Sequence, residues 1–590
     1  MRRTGRVIFI FLLISGCMMG LWMFQSWREA KQLGGQQMYY NVYVTGVSGN
    51  AITAVSAGES QTWETASAVT GQAVEGIADL HIQDEKIIKI VKKPETVTEK
   101  VLKLSEDTIT LENYGEVPME KEFVVYKRAG TGEITQGNVS DIVIGARDIR
   151  FVTAGKKFCA AVIPESELKT IRVLLKNNNF SSYDMAEVVL TATADFTIQS
   201  DNQTKSYAKG EKVTFRPADV NGRALVSTGG KGKIRVESLK RQYGVPEYRG
   251  TLEVVKGEKA LQLINEVSLE EYLYSVVPSE MPTEYNAEAL KAQAVCARSY
   301  AVRQMTGHRL AKYGAHVDDS VSFQVYNNLR EDARAIEAVN ATRNQVVSYQ
   351  GKTAVTYFFS ASCGSTSGTK DVWFAEKEVP YLTAAIQTWP RTQKNLTKEE
   401  DFKTYIDEAP ETLDSSSPWY RWKTSITAGS LKASVNRGIQ NRYAVNPTQI
   451  QAKEQDGTFR SRSIKDVGDI KDISVKKRGA GGIVSMVEIQ GTKETVRVYT
   501  EYNIRMLFIG EKTVFKRQDK KEVTGLSILP SGFFYVKKQG KKFQFCGGGY
   551  GHGVGMSQNG ANALAGQGKT YAEILTFYFP GTSVQSRESP

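Results

Sequence analysis

Apolar and polar positions fall into three regimes along the chain. Residues 7–24 form an unbroken, uncharged apolar run of eighteen residues behind a basic tip at 1–6. From 38 to 165 the pattern changes to short β-rich runs at 40–44, 87–91, 108–111, 123–126 and 142–144, separated by Gly, Asn and Asp clusters. These predict a small all-β module. Strand-like runs continue at 171–175 and 248–255 before helical signals begin. Asn286 reads as an N-cap, 287–304 is rich in Ala with Leu, Lys, Gln and Arg, and Gly307 stands where a left-handed residue would close the helix.

Further helices are expected at 330–342, 503–508, 557–565 and 571–578, with strands at 346–359 and 484–489. Thr397-x-x-Glu400 and Thr570-x-x-Glu573 have the form of capping boxes, and 415–418 reads as a loop before Trp419-Tyr420-Arg421-Trp422. The fold class is α+β, divided as a tip and apolar segment (1–24), a linker (25–37), the β-rich module (38–165) and a mixed domain (170–590).

Length adds that one core is too few for 590 residues. The apolar run is long enough for a single-pass anchor with the bulk of the chain outside the cytoplasm. The rival is a lipoprotein, because Ile14-Ser15-Gly16-Cys17 resembles a lipobox, although residues 18–24 remain apolar past that cysteine. Lys and Arg exceed Asp and Glu by 76 − 64 = 12, which favours an anionic neighbour. No nucleic-acid motif is present, so the cell envelope is the expected setting. Cys159, Cys296, Cys363 and Cys546 show no CxxC spacing and signal neither a disulfide framework nor a zinc finger, a sparing use that fits a Gram-positive surface.

Candidate chemistry gathers in two segments. Glu280 stands in Pro278-Ser279-Glu280-Met281-Pro282, which predicts a carboxylate held on a stiff turn and shielded by Val276, Val277 and Met281. Such shielding keeps a carboxyl group protonated and able to act as a general acid. Around His552, glycines 547, 548, 549, 551, 553 and 555 leave little side-chain bulk, and a polysaccharide is expected to press against that loop. Lys291 and Arg298, seven apart, share one helical face and are expected to read an acidic sugar, or else form a solvated cationic stripe. A cation beside Glu280 would oppose its raised pKa. Cys363 with His552 is a runner-up nucleophilic pair. A nucleotide loop at 563–570 is rejected because no strand precedes it.

Glu270-Glu271-Tyr272-Leu273, Glu280-Met281-Pro282, 289–295, Arg298-Ser299-Tyr300-Ala301, Gln324-Val325-Tyr326, Ser362-Cys363-Gly364 and 551–558 together resemble the SpoIID/LytB family from Ile171 onwards. The resemblance implies a lytic transglycosylase. One carboxylate, Glu280, would protonate the bond between N-acetylmuramic acid and N-acetylglucosamine and then deprotonate the C6 hydroxyl, leaving a 1,6-anhydro end. Substrate contacts are expected from Lys291, Arg298, Gln324, Tyr326, Tyr550, His552, Ser557 and Gln558 on peptide-stripped peptidoglycan strands. The LytB branch implies the alternative of a non-catalytic amidase enhancer with a wall amidase as partner. Some relatives hold zinc through a histidine and two cysteines. Here His316 is present but 317–329 has no cysteine, so neither metal nor cofactor is expected.

Overall fold

The computed structural model describes residues 37–69, 75–166, 168–200, 203–510 and 512–587. The apolar run at 7–24 and Cys17 lie outside the described residues. Among the described residues, no helix is long and apolar enough to cross a membrane.

The N-terminal β region builds two separate sheets. Strands Gln37–Ser48, Ala51–Ser56, Glu59–Thr65, Lys86–Lys92 and Gly76–Gln83 close a barrel around Val42, Val44, Ile52, Leu80 and Ile87. A seven-stranded sheet follows between Thr96 and Pro164, in which Lys157–Pro164 runs parallel to Gly115–Arg128. Its apolar face packs Ile109, Phe151 and Phe158 into a second core.

The third sheet carries the catalytic candidate. Strands Arg223–Ser227, Thr251–Lys256, Leu261–Ser268 and Thr170–Leu175 are antiparallel neighbours, with the short Val317–Asp318 added in parallel at the edge. Leu261–Ser268 passes directly into helix Leu269–Glu280, because the Ser268 hydroxyl caps the Glu271 N–H. Helix Ala287–Met305 is capped by Asn286 and buries Ala289, Ala292, Ala294, Ala297 and Ala301 completely. Small side chains let helices Leu269–Glu280, Ala333–Ala341, Gln558–Gly566 and Tyr571–Tyr578 pack closely around it. The Ala-rich composition therefore marks a central core helix and not an exposed basic one. It ends at Thr306, and Gly307 does not take a left-handed conformation; its N–H bonds Gln304 O in a tight turn.

A fourth core forms around Trp422, Leu431, Val435, Val487, Ile504 and Phe545, between two five-stranded sheets and helix Ala428–Val445. That eighteen-residue helix has no counterpart among the expected elements. The expected strand at 346–359 is instead three short ones, Gln345–Tyr349, Lys352–Thr353 and Phe358–Phe359. Helix Glu399–Glu408 begins at Lys398 with no side-chain cap, since the Thr397 hydroxyl bonds Asn395. The Thr570 and Glu573 capping box forms as expected.

Candidate active site

Glu280 is the last residue of its helix and not part of a preceding turn, which corrects the expectation drawn from the two prolines. Pro278 is tolerated within the last turn, and Pro282 drives Met281 to an extended conformation (φ −126°, ψ 137°) that stops the helix. The residue is half-buried, but its carboxyl group is desolvated, and burial pushes its pKa up to about 7. One interaction opposes this shift: the Val325 N–H donates to Oε1 at 2.6 Å. No charged group figures in the shift, so the anticipated conflict with a nearby cation does not arise. A helix C-terminus is also the unfavourable end for an anion, which acts in the same direction as burial.

The Gln324-Val325-Tyr326 motif works through its backbone. Gln324 is fully buried, accepting from the Tyr272 hydroxyl at 3.3 Å and donating to Ala297 O at 3.3 Å. Tyr326 is buried and donates to Asn265 Oδ1 at 2.7 Å. These two inward anchors leave the Val325 amide free to hold the carboxylate. The Ser279 hydroxyl accepts from the N–H groups of Asn328 and Leu329, tying the same loop to the helix end. Neither Gln324 nor Tyr326 is exposed to a substrate, contrary to expectation.

Arg298 is likewise internal. Its guanidinium is fully buried and grips both oxygens of Glu270 (2.9 and 2.7 Å) and the carbonyls of Val339 and Gln345. Lys291 is partly exposed and donates to Glu288 at 2.7 Å. The two cations therefore do not form a shared surface for an acidic sugar.

The late glycine loop is woven into the same region. Phe358–Phe359 pairs in parallel with Met556–Ser557, Ala361 bridges Tyr550, and Ser367 bridges Val554. Tyr285 reaches Asn559 at 3.1 Å, and the Asn286 N–H reaches Asn562 at 2.8 Å. Two motifs more than 270 residues apart are thus neighbours. The glycines are required by packing inside the protein and not by an approaching polysaccharide. A Cβ at Gly553 (φ 76°) would strike the Phe533 ring, and one at Gly555 (φ 81°) would strike the Tyr357 carbonyl.

His552 is half-buried among Trp373, Phe359 and Tyr357, with centroids at 5.2, 5.6 and 6.3 Å. Burial pushes its pKa down to about 4. Nδ1 accepts from the Val554 N–H at 3.1 Å, which leaves the proton on Nε2, facing the Phe358 carbonyl. Both nitrogens are occupied, and burial raises the Cys363 thiol to about 11, so the Cys363 and His552 nucleophilic pair does not form. Ser557 and Gln558 are buried: the first caps helix Gln558–Gly566 and donates to Asp414 at 2.5 Å, and the second meets Gln293 at 3.4 Å. Tyr550 is half-buried and packs on Trp419 at 4.9 Å.

Sequence reasoning missed Asp414, Tyr357 and Trp373. Asp414 is fully buried and accepts from the Ser362 N–H, the Ser362 hydroxyl and the Ser557 hydroxyl, joining two motifs 195 positions apart. Burial raises its pKa to about 6. Its partners lie 52 and 143 residues away, so no local spacing signals it. Tyr300 and Tyr272 feel the charge of Glu280. From Tyr300 an aromatic track continues through Tyr357 (6.1 Å) to Trp373 (4.6 Å), which is 40% exposed. Such faces suit the apolar faces of sugar rings. His316, the candidate metal ligand, accepts from the Arg172 N–H at Nδ1 and meets Ile144 O at Nε2, leaving no lone pair for a metal.

Residues 257–349 match the family model described as "Stage II sporulation protein", and 442–555 match a domain of unknown function. Residues 257–349 thus carry a domain of the SpoIID family. It is 30% identical over 315 residues to the "Amidase enhancer" of Bacillus subtilis (strain 168), a match covering 53% of this chain but only 40% of that protein. It is 27% identical to "Stage II sporulation protein D" of the same organism, over 56% of this chain and 78% of the relative. The protein of that name from Bacillus amyloliquefaciens matches at 27% over 65% and 89%. The SpoIID match spans Glu280, Val325, Arg298 and their supports, so the helix end and the loop that holds it belong to the family's own region.

Proposed function

We propose that the protein is a peptidoglycan lytic transglycosylase with Glu280 as its single acid and base. The observation that carries this reading is the desolvated carboxyl group, held by the single backbone amide of Val325 at the end of its helix. A pKa near neutrality suits a group that must first give and then take a proton. Protonated Glu280 delivers its proton to the glycosidic oxygen as the bond to C1 of the muramic sugar breaks. The resulting carboxylate accepts the proton of the C6 hydroxyl while O6 closes on C1. No water is consumed, and the product carries a 1,6-anhydro end. A second carboxylate, needed in two-acid hydrolysis, has no role. An apolar segment at 7–24 would hold this site outside the membrane.

The relative named as an amidase enhancer favours a second reading, in which the same surface binds glycan and recruits a separate amidase. Incubation with peptide-stripped glycan strands, followed by mass spectrometry, separates the two. Anhydromuramic ends that vanish in Glu280→Gln support the enzyme. Intact strands, together with stimulation of an added amidase, support the enhancer and overturn the transglycosylase.

A further inference from the structure

The domain built on the Trp422 core carries a recess of about 400 Å³ that the chemistry of Glu280 does not use. Its lining includes Lys423, Lys516, Arg517 and Lys520, with Asp407 as its acid. Lys423 and Lys516 are direct cross-strand partners on antiparallel strands. Like charges at that position destabilise a sheet. No carboxylate lies within ion-pair distance of Lys423, Lys516 or Lys520 among the described residues. The nearby acids are engaged elsewhere: Asp407 with Lys403 and the Tyr535 hydroxyl, and Asp519 with Arg517. Glu522, opposite Lys516 on the next strand, forms no ion pair with it.

We propose that this recess binds a phosphodiester group of an anionic polymer. A bound anion would relieve the repulsion between the paired lysines. The cations left free are ammonium groups, and no free guanidinium fork accompanies them: Arg421 is spent on the carbonyls of Ile406, Cys363, Tyr420 and Tyr405, and Arg517 holds both oxygens of Asp519. Without a planar fork these ammonium groups act as point charges, the way lysine holds phosphate. The recess also continues into the glycine loop. Gly547 lines it, Arg517 lies over Trp419 at 5.5 Å, and Trp419 packs on Tyr550 at 4.9 Å. A polymer seated here would run alongside the surface that holds His552.

Calorimetric titration of the full-length protein with poly(glycerol phosphate) oligomers tests this, with polygalacturonate oligomers of equal charge as the carboxylate control. The phosphodiester oligomer should bind at least tenfold more tightly than the control. Lys423→Gln with Lys516→Gln should weaken that binding at least tenfold, while the free variant melts no lower than the native protein because the repulsion is gone. Equal affinity for the two polyanions, or undiminished binding by the double variant, would overturn the proposal. So would inorganic phosphate binding as tightly as the oligomer, which would make the site one for the free ion. Phosphatidylglycerol vesicles that bind with the same dependence on these lysines would reassign it to a lipid headgroup. None of these outcomes depends on whether Glu280 cleaves glycan.

Discussion

The Val325 amide lies 2.6 Å from Glu280 Oε1, and this contact links Glu280-Met281-Pro282 to Gln324-Val325-Tyr326 through a backbone atom. Gln324 and Tyr326, pointing inward on either side, fix the loop so that the amide meets the carboxyl at the helix end. A hydrogen bond to the charged form limits how far burial raises the pKa and stabilises the carboxylate that must exist between the two proton transfers.

Glu280→Gln should keep the fold and abolish turnover, with a loss of at least ~100-fold, since general acid and base assistance contributes that much or more. The native pH profile for the first proton transfer should fall as pH rises through about 7, where the group loses its proton. Stability carries the same signature. The group's folded pKa lies above its ordinary value of 4.5, so between about pH 4.5 and 7 the folded protein holds a proton that the unfolded chain has released. Stability therefore falls with rising pH across that window, and the Gln variant should lack this part of the slope. Denaturant titrations of both proteins at pH 5 and 8 measure it. An identical pH dependence in the two would sink the assignment of a raised pKa.

Much of this site was legible in the sequence as position, and less as atomic role. Asn286, the Ala-rich helix and the Thr570 capping box are local features, set by residues within one turn of each other, and they appear where the spacing placed them. Glu280, Gln324 and Tyr326 were found as motifs, but whether a motif acts through a side chain or an amide depends on which faces are buried. That is a tertiary property. Arg298 illustrates the same limit, because a cation seven residues from Lys291 reads as surface until Glu270 is brought beside it. Helix Ala428–Val445 was missed for a different reason. Its Ser, Asn and two Gly residues weaken helix propensity, and Gly438 is there because Leu507 packs against it.

Arg298 and Lys291 should now behave differently. Arg298→Met leaves Glu270 buried without its partner and should cost ~3–5 kcal/mol of stability. Lys291→Met removes a partly exposed pair with Glu288 and should cost less than ~1 kcal/mol. Chemical denaturation of the two variants checks this. A fully stable Arg298→Met protein with weakened glycan binding would restore the substrate role that burial denies it.

Gly555→Ala tests whether the glycine loop is shaped by internal packing. The residue sits at φ 81°, and a Cβ would collide with the Tyr357 carbonyl on the neighbouring segment. Strain and displacement together should cost at least ~2 kcal/mol. The loss should appear in the absence of any glycan, read by denaturation of the free protein. Unchanged stability with selective loss of glycan binding would show instead that the loop is shaped for its ligand.

Lys100 fastens the N-terminal sheet to the sheet that leads into the helix ending at Glu280. It is buried and pairs with Glu266 and, at 3.5 Å, with Glu253, while Arg172 binds the same two acids from the other side. Arg172 is itself held at its backbone N–H by His316, whose other nitrogen meets the Ile144 carbonyl of the N-terminal region. The result is a buried four-charge cluster with one member, Lys100, supplied across the junction. Lys100→Met keeps the length of the stem but leaves two carboxylates with a single guanidinium. Breaking one side of a buried pair costs ~3–5 kcal/mol, and the methionine packing recovers part of it. The loss should fall on the junction first, because the two sheets have separate cores. Limited proteolysis should therefore cut the variant near residues 92–100 or 164–170 under conditions that leave the native chain whole, while the carboxyl-terminal fragment keeps its glycan activity. A variant as resistant as the native protein would show that apolar contacts alone hold the two parts together.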